Sequence, residues 1–133
     1  MTEIYTERAR SLRSDSSRHC NCAQAVLETF APECGISGEQ AHALGEHFGG
    51  GMRMGAVCGA ITGALMVIGL LGGGEEQRRS FVDSMKKNHE NMTDCRDLLR
   101  ENAKTGTPRA QHCDALVFEA VENVARIMKL EKD

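Results

Sequence analysis

Apolar positions recur at helical spacing along nearly the whole chain, and period-two alternation is nowhere sustained. Leu116, Val117, Ala120, Val124 and Ile127 form one stripe, which predicts a long helix from about Arg109 to Met128. Ala25, Val26, Leu27 and Phe30 predict another from about Cys22 to Phe30, ended by Pro32 and Gly35. Ser37-Gly38-Glu39-Gln40 has the form of a capping box and starts a helix to about Phe48, where Gly49-Gly50-Gly51 stops it. A moderately amphipathic segment covers about Thr2 to Leu12. A charged helix covers about Glu75 to His89, and a short one begins near Thr93. The expected fold is all-α: a single-domain bundle of five to six helices over residues 1–133, with no internal repeat.

At its centre the pattern predicts an apolar helix from about Ala56 to Leu71. Gly59, Ala60, Gly63 and Ala64 put small residues at three- and four-residue spacing, so another backbone can approach closely. Each interior glycine costs about 1 kcal/mol of helix propensity, which makes sense if something must sit tightly against the Cys58 end. A neighbour within the chain would suit this face, and so would a homodimer. The uncharged stretch Met54–Gly74 approaches the length of a membrane span. It contains seven glycines, and its continuously apolar part, Ala64–Leu71, is too short to cross, so a buried helix is expected and no membrane insertion.

Aromatic residues make up only 4% of the chain, so the core must rely on Leu, Val, Ile, Met and Ala, which suits helix–helix packing. A formal charge of −3 argues against nonspecific nucleic-acid binding, and Arg78-Arg79 and Lys86-Lys87 read as solvated helix faces. Met1–Arg18 is polar throughout, which predicts no secretory leader and a reducing cytoplasm. There six cysteines point to metal binding or redox cycling rather than to a disulfide framework.

Four of those cysteines fall where helices are expected to begin: Cys22 after Asn21, Cys58 opening Cys58-Gly59-Ala60-Ile61-Thr62-Gly63, Cys95 after Thr93-Asp94, and Cys113 ahead of Leu116-Val117-Phe118. A helix N-terminus presents unpaired N–H groups and partial positive charge, which favour the thiolate. Thirty-five, thirty-six and seventeen residues separate the four in turn, so no short C-x-x-C loop exists. Zinc-finger, thioredoxin and bacterial ferredoxin patterns are therefore excluded, and any shared site must assemble in three dimensions. The residues allow an iron–sulfur centre, a dithiol–disulfide protein in which Cys58 attacks and Cys22, Cys95 or Cys113 resolves, or a zinc site.

This pattern resembles a family of redox-active proteins labelled from its cysteines, C_GCAxxG_C_C. The resemblance rests on Cys22, the Cys-Gly-Ala-x-x-Gly block at Cys58–Gly63 behind its glycine loop, Cys95 and Cys113, and spans roughly residues 20 to 120. It implies a redox or electron-transfer role with an unidentified redox partner protein. The cysteine domain of split-Soret cytochromes is similar to this family and is associated with an iron–sulfur centre. A [2Fe–2S] cluster on Cys22, Cys58, Cys95 and Cys113 is accordingly expected, with zinc or no cofactor as the alternatives. No haem attachment is implied, because C-x-x-C-H does not occur.

Outside the four, Cys20 pairs with Cys22 as C-x-C, which suits a metal chelate, a strained disulfide or a plain surface thiol. Cys34 reads as a small buried hydrophobe. His19 and His112 adjoin cysteines but are expected to face solvent. His42 and His47 lack zinc-protease spacing, and His89 has no companion. Arg53 is a surface cation beside the glycine loop. Met52, Met54 and Met66 read as core. The triple glycine lacks the G-K-[ST] ending of a phosphate loop.

Overall fold

The computed structural model describes residues 3–130, so the expected start at Thr2 lies outside the described residues. They form eight α-helices: α1 (Glu3–Ser14), α2 (Cys22–Thr29), α3 (Ala31–Cys34), α4 (Gly38–Gly45), α5 (Gly59–Leu70), α6 (Glu75–Asn88), α7 (Cys95–Ala103) and α8 (Arg109–Ile127). The all-α class is as the periodicity predicts. The helix count is higher because Pro32 does not simply end α2. It sits in the first turn of the short α3, where its missing N–H goes unneeded, and left-handed Gly35 closes that helix. Among the described residues no helix is long and apolar enough to cross a membrane.

Helix α2 is the hub, packed on α1, α4, α5 and α8, with fully buried Ala23, Ala25, Val26 and Leu27. Its closest partner is α5. A Cβ added at Gly63 would lie 2.9 Å from the Ala23 carbonyl oxygen, and one at Gly59 would lie 3.1 Å from the Ala23 amide nitrogen. The small-residue face of the central helix is therefore taken up within the chain by α2, which removes the argument for a homodimer through it. That crossing sets Cys22 beside the start of α5.

The start of α2 is fixed by a capping box the sequence reading missed. Asn21 Oδ1 accepts the Gln24 amide (2.8 Å) and Gln24 Oε1 accepts the Asn21 amide (2.8 Å). Asn21 Nδ2 also donates to the Gly45 carbonyl (3.0 Å), tying the cap to the end of α4.

Between α4 and α5 the glycine loop winds left-handed. Gly50, Gly51, Met52 and Arg53 all have φ between 58° and 64°. Met52 and Arg53 each bear about 1–2 kcal/mol of backbone strain there. The turn Gly51–Gly55 is closed by the Ala56 amide donating to the Gly51 carbonyl (2.9 Å). Gly51 must be glycine, since a Cβ would sit 2.2 Å from the Ala56 carbonyl oxygen. Met52 and Met54, expected in the core, are exposed on this turn (37% and 70%), Met52 within the left-handed run and Met54 just after it.

Candidate functional site

After the glycine loop, Val57 and Asp94 form an isolated antiparallel bridge. The Cys58 amide donates to the Thr93 carbonyl (2.9 Å) and the Cys95 amide to the Ala56 carbonyl (2.7 Å). One two-residue bridge thus sets the beginnings of α5 and α7 side by side, with Cys58 as the N-cap of α5 and Cys95 the first residue of α7.

Cys22, Cys58, Cys95 and Cys113 all line one cavity of about 480 Å³. Leu98, Leu99 and Leu116 supply apolar walls, and Arg13 and Arg109 supply positive charge. Cys58 is buried and the other three are partly so. Residues from four distant stretches of the chain thus line one cavity.

Helix-start placement holds for three of them and fails for Cys113. Helix α8 begins at Arg109, so Cys113 lies one full turn inside it, where the N-terminal N–H groups are already in use. Even so, Cys113 is the thiol pushed down to about 6. The first cause is a hydrogen bond from the Cys22 thiol, followed by the charge of Arg13 and by a hydrogen bond and charge from Arg109. Cys22 is pushed strongly up in return, as donor in the pair and by desolvation. Within the pair the negative charge is favoured on Cys113, beside Arg13 and Arg109.

Cys58 behaves differently from the expected attacking thiol. Backbone N–H groups of Ala60 and Ile61 act to lower it, as its cap position predicts, but burial dominates and pushes it up to about 11. Desolvation also raises Cys95.

The two arginines escaped the sequence reading. Arg13, at the end of α1, is held by Asp114 (2.6 Å) and by the Cys20 carbonyl (2.9 Å), which aims its guanidinium at Cys22 and Cys113. No local pattern announces that contact. Arg109 stands four residues before Cys113 on one helix face, a spacing that could have revealed it.

The histidines divide. His19 is exposed at the cavity, as expected. His112 is not: it lines the cavity, its Nε2 is buried without a partner, and desolvation lowers its pKa. His89, read as solitary, pairs with Glu119 (2.6 Å).

Cys20 and Cys22 do not act as a C-x-C unit. The Cys20 sulfur turns to Glu28 Oε2 (3.2 Å), while Cys22 lines the cavity with Cys113. Nor is Cys20 a surface thiol, being 4% exposed and pushed up to about 12 by desolvation and by Glu28. Cys34 is half-buried against the core, and Arg53 is exposed and donates to the Glu46 carbonyl (3.1 Å).

These features define a small helical protein built around a four-cysteine pocket flanked by arginines. Residues 20–127 match the family model described as "Putative redox-active protein (C_GCAxxG_C_C)", and the chain belongs to that family. Comparison with curated proteins and with solved structures returned no match.

Proposed function

We propose that the protein transfers electrons through an iron–sulfur cluster, [2Fe–2S], held by Cys22, Cys58, Cys95 and Cys113. The observation that carries this reading is the convergence of four thiols from four helices on one cavity of about 480 Å³. Two pairings support a dinuclear cluster over a single ion. Cys22 and Cys113 are near enough to shift each other's ionisation, and Cys58 and Cys95 are joined through the Val57–Asp94 bridge. A four-thiolate zinc site draws less support. Among the described residues no three of these sulfurs lie within 4.8 Å of one another, as ligands of one tetrahedral ion would.

When bound, such a cluster supplies reversible one-electron chemistry. The chain's own residues make the site fit for it. Arg13 and Arg109 offset the charge of four thiolates. The cap position of Cys58 aims backbone N–H groups at one sulfur, and the leucines exclude water. All six cysteines are free, the state a reducing cytoplasm would maintain. Protein prepared without oxygen should be brown and contain about two irons and two acid-labile sulfides per chain. Colourless, iron-free protein after anaerobic reconstitution would overturn the proposal.

Cys22 and Cys113 in one cavity with Arg13 and Arg109 favour a second reading, a cofactor-free dithiol. The Cys113 thiolate would displace one sulfur of a partner disulfide, giving a mixed disulfide. Cys22, giving up its proton, would then expel the partner's second thiolate, leaving a Cys22–Cys113 disulfide and a partner reduced by two electrons. At pH 7, lowering a thiol from 9.0 to about 6 raises the thiolate fraction roughly ninetyfold. Intrinsic nucleophilicity falls by about twentyfold over the same shift, so the net gain in rate is only about fourfold. The diagnostic is therefore the pH profile. In metal-free protein, alkylation of Cys113 should be fully developed above about pH 6 and lost as the pH falls through it. Arg13→Gln should move that midpoint upward, and Cys22→Ala should move it further. A wild-type midpoint at the ordinary thiol value would remove this reading.

A further inference from the structure

On the other side of the Cys20-Asn21-Cys22 strand from the four-cysteine pocket, three donors meet. Glu28 Oε2 lies 3.2 Å from the Cys20 sulfur and 2.9 Å from His42 Nδ1. All three ligand atoms are within 4.8 Å of one another. They come from the loop before α2, from α2 itself and from α4, so only the tertiary fold unites them.

We propose that Cys20, Glu28 and His42 form a second site that binds a divalent transition-metal ion, zinc by preference. The donor set is one thiolate, one imidazole and one carboxylate, which suits zinc and not magnesium or calcium. Ligand pairs about a tetrahedral zinc ion stand roughly 3.3–3.5 Å apart. The observed 3.2 Å and 2.9 Å therefore need to open by only a few tenths of an ångström. Three protein ligands leave a fourth position for water.

The surroundings are arranged for this. Arg18 donates to the other carboxylate oxygen, Glu28 Oε1 (2.7 Å), and reaches the Cys20 sulfur at 3.5 Å. It orients the carboxylate while leaving Oε2 to the metal. The Glu28 side chain is 6% exposed, so its charge is compensated locally. Arg18 and Glu28 offset each other, and Glu46, 3.9 Å from His42 Nε2, adds a negative charge that favours a cation. A divalent ion bound here would displace the Cys20 thiol proton. Entry is open too, because His42 and Glu46 line a polar cleft of about 440 Å³.

The test uses the full chain, stripped of metal and titrated with Zn(II) against a chromophoric chelator, and separately with Co(II). In a variant with Cys22, Cys58, Cys95 and Cys113 all replaced by Ala, one zinc should still bind. Co(II) should show a thiolate charge-transfer band, Cys20 and Cys34 being the remaining thiols. Adding Cys20→Ala should erase the band, and adding Cys20→Ala or His42→Gln should weaken zinc at least about tenfold. Absence of zinc from the folded quadruple variant, or affinity unchanged by Cys20→Ala, would overturn the proposal. If the quadruple variant does not fold, the single variants Cys20→Ala and His42→Gln should each hold one zinc at least about tenfold more weakly than wild type, and unchanged affinity at every zinc refutes the site. These outcomes do not depend on whether the four-cysteine pocket carries iron.

Discussion

Replacing any one of Cys22, Cys58, Cys95 or Cys113 by Ala is expected to reduce iron content and visible absorption to less than about a tenth of wild type. Three remaining thiolates leave one iron short of a ligand, and each sulfur contributes equally to a dinuclear cluster. The dithiol reading predicts another pattern. It pairs Cys113 with Cys22, so only their substitution would abolish thiol–disulfide exchange, while Cys58→Ala and Cys95→Ala would stay active. The four variants, assayed for iron, sulfide and exchange, separate the two chemistries in one series. Equal loss of iron in all four supports the cluster; loss of exchange in two and retention in two supports the dithiol. Far-ultraviolet circular dichroism on each variant is the control that keeps a lost ligand from being mistaken for a lost fold.

Gly63→Leu should be the most destabilising change outside the cysteines. The first atom added would meet the Ala23 carbonyl oxygen at 2.9 Å and the Ala23 Cα at 3.1 Å, both parts of a buried backbone that cannot give way. Overpacking of this kind costs about 3 kcal/mol or more, which in a chain of this size lowers Tm by about 10 °C. The damage reaches the site as well, because the α2–α5 crossing sets Cys22 beside Cys58, so cofactor uptake should fall together with stability. Gly69→Ala in the same helix is the control. Nothing lies within 4 Å of its Cβ position, and relief of backbone entropy should stabilise the protein by about 0.5–1 kcal/mol. Thermal melts of the two variants that coincide would show that α2 and α5 do not cross as closely as described.

Much of the fold was legible because helices advertise themselves locally. The Arg109–Met128 stripe predicted α8 to within a residue, and the Ser37-x-x-Gln40 signal marked the start of α4. The same kind of signal, Asn21-x-x-Gln24, lay unread beside Cys22. For the site, three helix-start cysteines were placed correctly, since capping is set by neighbours in sequence. Cys113 was misplaced by one turn, yet it has the most acidic thiol of the four. Its acidity comes from Cys22, Arg13 and Arg109 and not from its own helix end. Met52 and Met54 were misassigned to the core for a related reason. Their hydrophobicity was visible, but the left-handed run that holds Met52 and precedes Met54 is a product of the loop's closure.

The sequence by itself determined the helices, their small-residue contact face and the family to which the chain belongs, because capping, periodicity and the Cys58–Gly63 block all act over a few neighbouring residues. Tertiary structure alone decided which thiol ionises, that Arg13 reaches the pocket from the far end of α1, and that Cys20 turns away from Cys22 toward Glu28 and His42. Those outcomes depend on fields and contacts between groups as much as a hundred residues apart. Distance along the chain carries no information about such pairs until α2 has docked against its neighbours.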